Sequence, residues 1–221
     1  MAAVAFARLS VRNARLNYKN PEFELIAQGY KRANSNANRK QPVTATMLLG
    51  MCRVLQDRHA VMDRDHSELL WGSIILAFFF LDRSSELWGA TTGGNSGNGS
   101  THCVKGEDMT LCNQHGEAIV PGTGSANSVE IFFRSHKGNQ RRQMTTLRHY
   151  RSGQQALRLV VAVEACWDVR LRWQRAGKCF GQYITSVSTT TTIRKTEVSS
   201  LIKEAAGRVG DNPDNYATHS M

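Results

Sequence analysis

Between Ile131 and Arg151 the chain carries Arg134, Lys137, Arg141, Arg142, Arg148 and Arg151 and no acid, in the stretch "EIFFRSHKGNQRRQMTTLRHYR". Cations at this density neutralise phosphates along a nucleic-acid backbone and release its counterions. The same charge would also suit a solvated hairpin that must not aggregate through its edges. The absence of acids favours the phosphate reading, and Ser135, Asn139 and Gln140 add polar groups at the turn. Arg83 ends the apolar run of "FFFLDRSSELWG". Taken alone, it reads as a cation complementing a helix C-terminus, worth a few tenths to about 1 kcal/mol, or pairing with Glu86 one turn on. A third set, His102, Cys103, Cys112 and His115 in "THCVKGEDMTLCNQH", has zinc-capable side chains. Only Cys112 and His115 approach the tight spacing that structural zinc sites use in both halves, so no metal site is expected. No phosphate-binding glycine loop, Gly-x-Ser-x-Gly elbow or His-Glu-x-x-His is present.

These residues need a scaffold, and the composition supplies one. With 221 residues, 41% hydrophobic and 21% charged, the chain is long enough for one domain with a core, or one domain plus an appendage. The formal charge of +10 points to a polyanionic partner, nucleic acid before membrane. Five scattered cysteines argue against a disulfide framework and for a reducing compartment. "LLWGSIILAFFFL" is short for a membrane span and ends at Asp82 and Arg83, so it reads as a buried helix. The acid-free start "MAAVAFARLSVRNARLNYK" shares its composition with transit peptides; we read it as a basic lead-in, and Arg8 interrupts any secretory signal core.

Residues 1–41 form the lead-in and linker, with a short helix in "NPEFELIAQGYKRA" opened by Asn20 and Pro21. A helix is predicted in "PVTATMLLGMCRVLQDRH", with Thr44 as N-cap and Met47, Leu48, Met51, Val54 and Leu55 at helical spacing. The next, "DHSELLWGSIILAFFFLDRSSELW", is apolar almost all round and should run through the centre. Residues 89–101, "GATTGGNSGNGST", read as a flexible insertion. A hairpin follows in "SVEIFFRSHKGNQRRQMTTLRHY" with its tip at Gly138-Asn139, then helices in "QQALRLVVAVEACWDVRLRWQ" and "KTEVSSLIKEAAGRV". The predicted class is mainly α (α+β), helices around a small antiparallel sheet.

In this order the motifs resemble those of the tyrosine recombinases, the phage-type integrases. "DRSSELW" is similar to the family's first arginine motif, "FFRSHKGNQ" to the hairpin with its catalytic lysine, and "YATHSM" to the start of its His-x-x-Arg box. "AQGYKRANSNANRKQPVTATML", "LWGSIILAFFFLDRSSELW" and "LRHYRSG" especially resemble recombinases of crypton-type eukaryotic transposons, and the similarity spans about residues 20–221. The resemblance implies a catalytic domain over 42–221, with Arg83, Lys137 and His219 gripping one DNA phosphate. It implies Lys31, Arg32, Arg39, Lys40, Arg134, Arg141, Arg142, Arg148 and Arg151 as DNA contacts, and no cofactor.

In such a reaction a tyrosine attacks the phosphate, Arg83 and His219 stabilise the charge that develops, and Lys137 protonates the leaving 5′ oxygen. Two departures stand out. Asp82 precedes Arg83 where the family has an apolar residue or glycine, and Met221 falls one position before the second arginine. Tyr150, Tyr183 and Tyr216 do not match the nucleophile's place, so the chain is expected to lack recombination activity, with a domain incomplete at its C-terminus. Faces meant for the missing helices should then be exposed and apolar. The implied partners are double-stranded DNA and a second copy or a full-length recombinase, with no membrane and no small-molecule substrate. The implied location is intracellular, nuclear in a eukaryote. The competing reading is a non-catalytic protein that pairs with or inhibits a complete recombinase.

Overall fold

Thr44 opens the first helix, α1 (Ala45–Arg58): its Oγ1 accepts a hydrogen bond from the Met47 N–H at 3.3 Å, satisfying one of the amides that a helix start leaves unpaired. The structure, a computed structural model, describes residues 40–58, 62–80, 87–88, 103–133, 145–153 and 157–218. Lys40–Met221 forms one compact unit. Within it the described residues build four α-helices and a four-stranded antiparallel sheet.

Met47, Leu48, Met51, Val54 and Leu55, the spacing read from sequence, are the buried face of α1. Helix α2 (Arg64–Phe80) is the central one, with Leu69, Leu70, Ile74, Ile75, Leu76 and Ala77 fully buried. Burying each large aliphatic side chain stabilises the fold by about 1.5–3 kcal/mol. Its partner is α3 (Leu159–Arg175), and the two approach closely at Gly72. A Cβ there would lie 2.2 Å from Cys166 Sγ and 2.7 Å from the Ala162 carbonyl oxygen, so only glycine fits. The expected start of α3 at Gln154 moves to Leu159, because Arg158 is extended, φ −84 and ψ 101.

Helix α4 (Lys195–Arg208) packs on α1, with Ala205 and Val209 against Gly50. Ion pairs mark both helix pairs. Glu204 of α4 binds Arg58 and Arg208, and Arg208 also reaches Asp57. Arg172 of α3 bridges Asp65 and Glu68 of α2, each at 2.6 Å. His66 of α2 bonds Glu197 of α4, crossing from one pair to the other. Exposed pairs of this kind contribute about 0–1 kcal/mol each, so the apolar core dominates.

The sheet has the order β2-β1-β3-β4, from β1 (Met109–Cys112), β2 (Ala118–Ile119), β3 (Ser128–Phe133) and β4 (Thr145–Tyr150). Met109 and Leu111 of β1 lie opposite Ile131 and Val129 of β3, and all four are buried. The hairpin arms appear as predicted from sequence, while its tip at Gly138-Asn139 lies outside the described residues, as does 89–101. After α4, Asn212 caps a short 3-10 turn (Pro213–Asn215) by accepting from the Asp214 N–H at 3.0 Å. That turn ties back to the start of the unit: Gln41 N–H donates to the Asn215 carbonyl at 2.7 Å and Lys40 Nζ to the Asp214 carbonyl at 2.5 Å. Among the described residues no helix is long and apolar enough to cross a membrane. Exposed large apolar side chains there are Leu49, Val120, Phe132, Leu147, Tyr150 and Val209, spread over several elements.

Candidate nucleic-acid interface

Arg83, Lys137 and His219 lie outside the described residues, as do Lys31, Arg32, Arg39, Arg134, Arg141 and Arg142. Their flanks do not. Phe80, which ends α2 before the Arg83 segment, has its ring centroid 6.0 Å from that of Phe133, which ends β3 before the Lys137 segment. His149 of β4 completes this cluster, its ring 4.6 Å from Phe80 and 6.1 Å from Phe79. Burial among these rings pushes the His149 imidazole below its ordinary pKa. Phe133 and Thr145, the residues on either side of 134–144, are directly opposed in the β3–β4 register.

The chain on the far side of the Arg83 segment is anchored too. Thr185 Oγ1 donates to the Leu87 carbonyl at 2.5 Å, and Trp88 Nε1 donates to Ser73 Oγ at 3.0 Å. Ahead of His219, Thr218 is buried, and Tyr216 is buried with its hydroxyl donating to Asp211 Oδ2 at 3.0 Å.

Of the nine cations read as DNA contacts, Lys40, Arg148 and Arg151 are described, and each has an internal partner. Lys40 holds the Asp214 carbonyl. Arg148 Nε donates to Glu130 Oε1 at 2.6 Å, from the position directly opposite in the strand register. Hydrogen bonds to Tyr150 and to Glu130 push the Arg148 guanidinium further up, so it stays charged. Arg151 donates through Nε to the Ala126 carbonyl at 2.8 Å and through Nη2 to Glu164 Oε2 at 2.5 Å. The run without acids in sequence therefore meets acids in space.

Sequence reading missed one further cation, Arg170. It is buried, donates to the carbonyls of Tyr183 at 2.7 Å and Gly181 at 3.0 Å, and lies 4.3 Å over the Phe180 ring. Burial lowers its pKa to about 10. It staples the loop before α4 onto α3. Its position on the buried stripe of α3 was the only signal available, and that stripe reads as core. The zinc-capable set divides: Cys103 and Cys112 are buried, His115 sits on an exposed turn beside Gln114, and His102 is outside the described residues. Among the described residues no group of three or more His, Cys, Asp or Glu is placed to hold a metal.

No family model, no curated protein and no solved structure matches the chain.

Proposed function

We propose that the chain is a DNA-backbone-binding protein built on a tyrosine-recombinase-type catalytic domain. The observation that carries this reading is the Phe80–Phe133 contact, which joins the flank of the Arg83 segment to the flank of the Lys137 segment. A phosphate grip built from separate stretches of sequence requires such a meeting of flanks. The element order adds support: an apolar central helix, a β-hairpin, then α3, α4 and a turn leading to Thr218 and His219.

In the grip, Arg83 offers a planar, permanently charged fork to two non-bridging phosphate oxygens. Lys137 and His219 add donors from the other two segments. Arg134, Arg141 and Arg142 flank Lys137 in sequence and extend the contact along the backbone. Tyr216 precedes the His motif and donates its hydroxyl to Asp211.

Duplex affinity measured against salt tests the reading. The expected result is a steep fall, flattened by neutralising Arg141 and Arg142. Salt-independent or absent binding would remove the DNA reading.

A further inference from the structure

At the end of the sheet away from residues 134–144, a cleft of about 590 Å³ opens between α3 and the β2–β3 loop. Its walls include Leu111, Val161 and Ala165, with the Trp167 indole beside them and Thr123 and Ser125 on the loop. The volume suits a small ligand or one long side chain. The loop is held in place from below. Glu164 accepts from the Ala126 N–H through Oε1 and from Arg151 Nη2 through Oε2, each at 2.5 Å, while Arg151 Nε holds the Ala126 carbonyl at 2.8 Å. Gly122 fits this packing at φ +81, where a Cβ would lie 2.7 Å from Leu171 Cδ1.

Two carboxylates, Glu164 and Asp168, line the cleft one helical turn apart. Arg151 neutralises the first. Asp168 is exposed and has no hydrogen bond or ion pair among the described residues. In a chain of net charge +10, this concave site thus carries an uncompensated negative charge next to apolar wall.

We infer that the cleft binds an alkylguanidinium, the head of an arginine side chain or of a small guanidino compound, with Asp168 as its anion. The planar fork matches a carboxylate through two hydrogen bonds and sheds water more readily than an ammonium does. Its methylenes take the Leu111, Val161 and Ala165 wall, and the indole offers ring surface. Trp167 Nε1 is buried without an acceptor among the described residues, so the indole contributes its ring and not a donor. Arg170, with Cζ 5.7 Å from the indole centroid, holds that ring in place. The inference is independent of the DNA reading.

The test uses the full chain and follows the indole resonance of Trp167, assigned with W167F, during titration. The probes are butylguanidinium, neutral butylurea of the same shape, and acetylarginine amide as the peptide-borne form. Butylguanidinium should bind with a Kd of about 1 mM, as befits a fragment-sized ligand. D168N should weaken it about fivefold, the scale of one exposed ion pair, and D168K should abolish it. Asp168 is exposed, so both variants should keep the wild-type circular dichroism. Tighter binding of acetylarginine amide would assign the cleft to a protein partner, and binding of butylguanidinium alone to a small molecule. No shift up to about 10 mM, equal binding of butylurea, or unchanged binding by D168K would each overturn the inference.

Discussion

Phe80 and Phe133 pack together with ring centroids 6.0 Å apart although they belong to a helix and a strand separated by the whole of β1 and β2. This contact fixes where α2 ends relative to where the hairpin arm ends, and His149 seals it from β4. Truncating either ring should destabilise the fold, Phe80 by about 3–5 kcal/mol as a buried ring and Phe133 by less. The double variant F80A/F133A should fall short of additivity by about 0.5–1.5 kcal/mol, the worth of an aromatic pair. Urea unfolding of the four proteins measures this, and strict additivity would deny the coupling.

His66 of α2 and His149 of β4 should act on stability in opposite directions with pH. The hydrogen bond that the His66 imidazole donates to Glu197 raises the His66 pKa above its ordinary 6.5. Folding is therefore helped fully at pH values below 6.5, and that help is lost as pH rises through the folded value. His149, lowered by burial, does the reverse: it adds stability above 6.5 that is lost as pH falls toward its folded value. H66Q should lower the melting temperature chiefly on the acid side, and H149Q should remove part of the wild-type loss there. Melting curves from about pH 5 to 8, the range in which histidines titrate, decide it.

Gly72 is a point of close approach between α2 and α3. G72A should cost at least about 1–3 kcal/mol, because the added methyl meets a sulfur and a backbone oxygen that cannot both retreat. C166A should recover part of this by withdrawing Sγ, while the clash with the Ala162 carbonyl remains. A melting temperature for G72A equal to wild type would show that the helices part easily.

Glu130 pairs with Arg148 across the hairpin arms. If the hairpin contacts DNA, E130Q should tighten duplex binding and steepen the salt dependence by up to about 0.9 in slope, one more neutralised phosphate. R148A alone should change little, since that cation is already paired. Fluorescence anisotropy over a salt series reads both, and a large loss in R148A would mean that the Glu130 pair opens on DNA.

The helices were legible because their signal is local. Met47, Leu48, Met51, Val54 and Leu55 recur at helical spacing, and Thr44 stands where a cap belongs, so the face they bury follows without knowing its partner. Strands β1 and β2 were not legible. They are short, Leu111 and Cys112 are buried side by side, and "MTLC" lies inside a cysteine–histidine set that invited a metal reading. Its pairing with β3 depends on residues far along the chain, which no local pattern announces. The same non-locality separates the charge map from the sequence. Arg148 finds Glu130 through strand register, and Arg151 finds Glu164 through packing of α3 beside the sheet. Neither acid falls between Ile131 and Arg151, the interval that made the region look uniformly basic.

The hydrogen bond from Gln41 to Asn215 has a mechanical meaning. Because Lys40 and Gln41 lie against Asp214 and Asn215 near the two ends of the described stretch, tension applied there would load this seam first. For the same reason, a short linker could join these ends and new ones be cut at an exposed turn such as the one around His115, yielding a permuted protein with the old architecture.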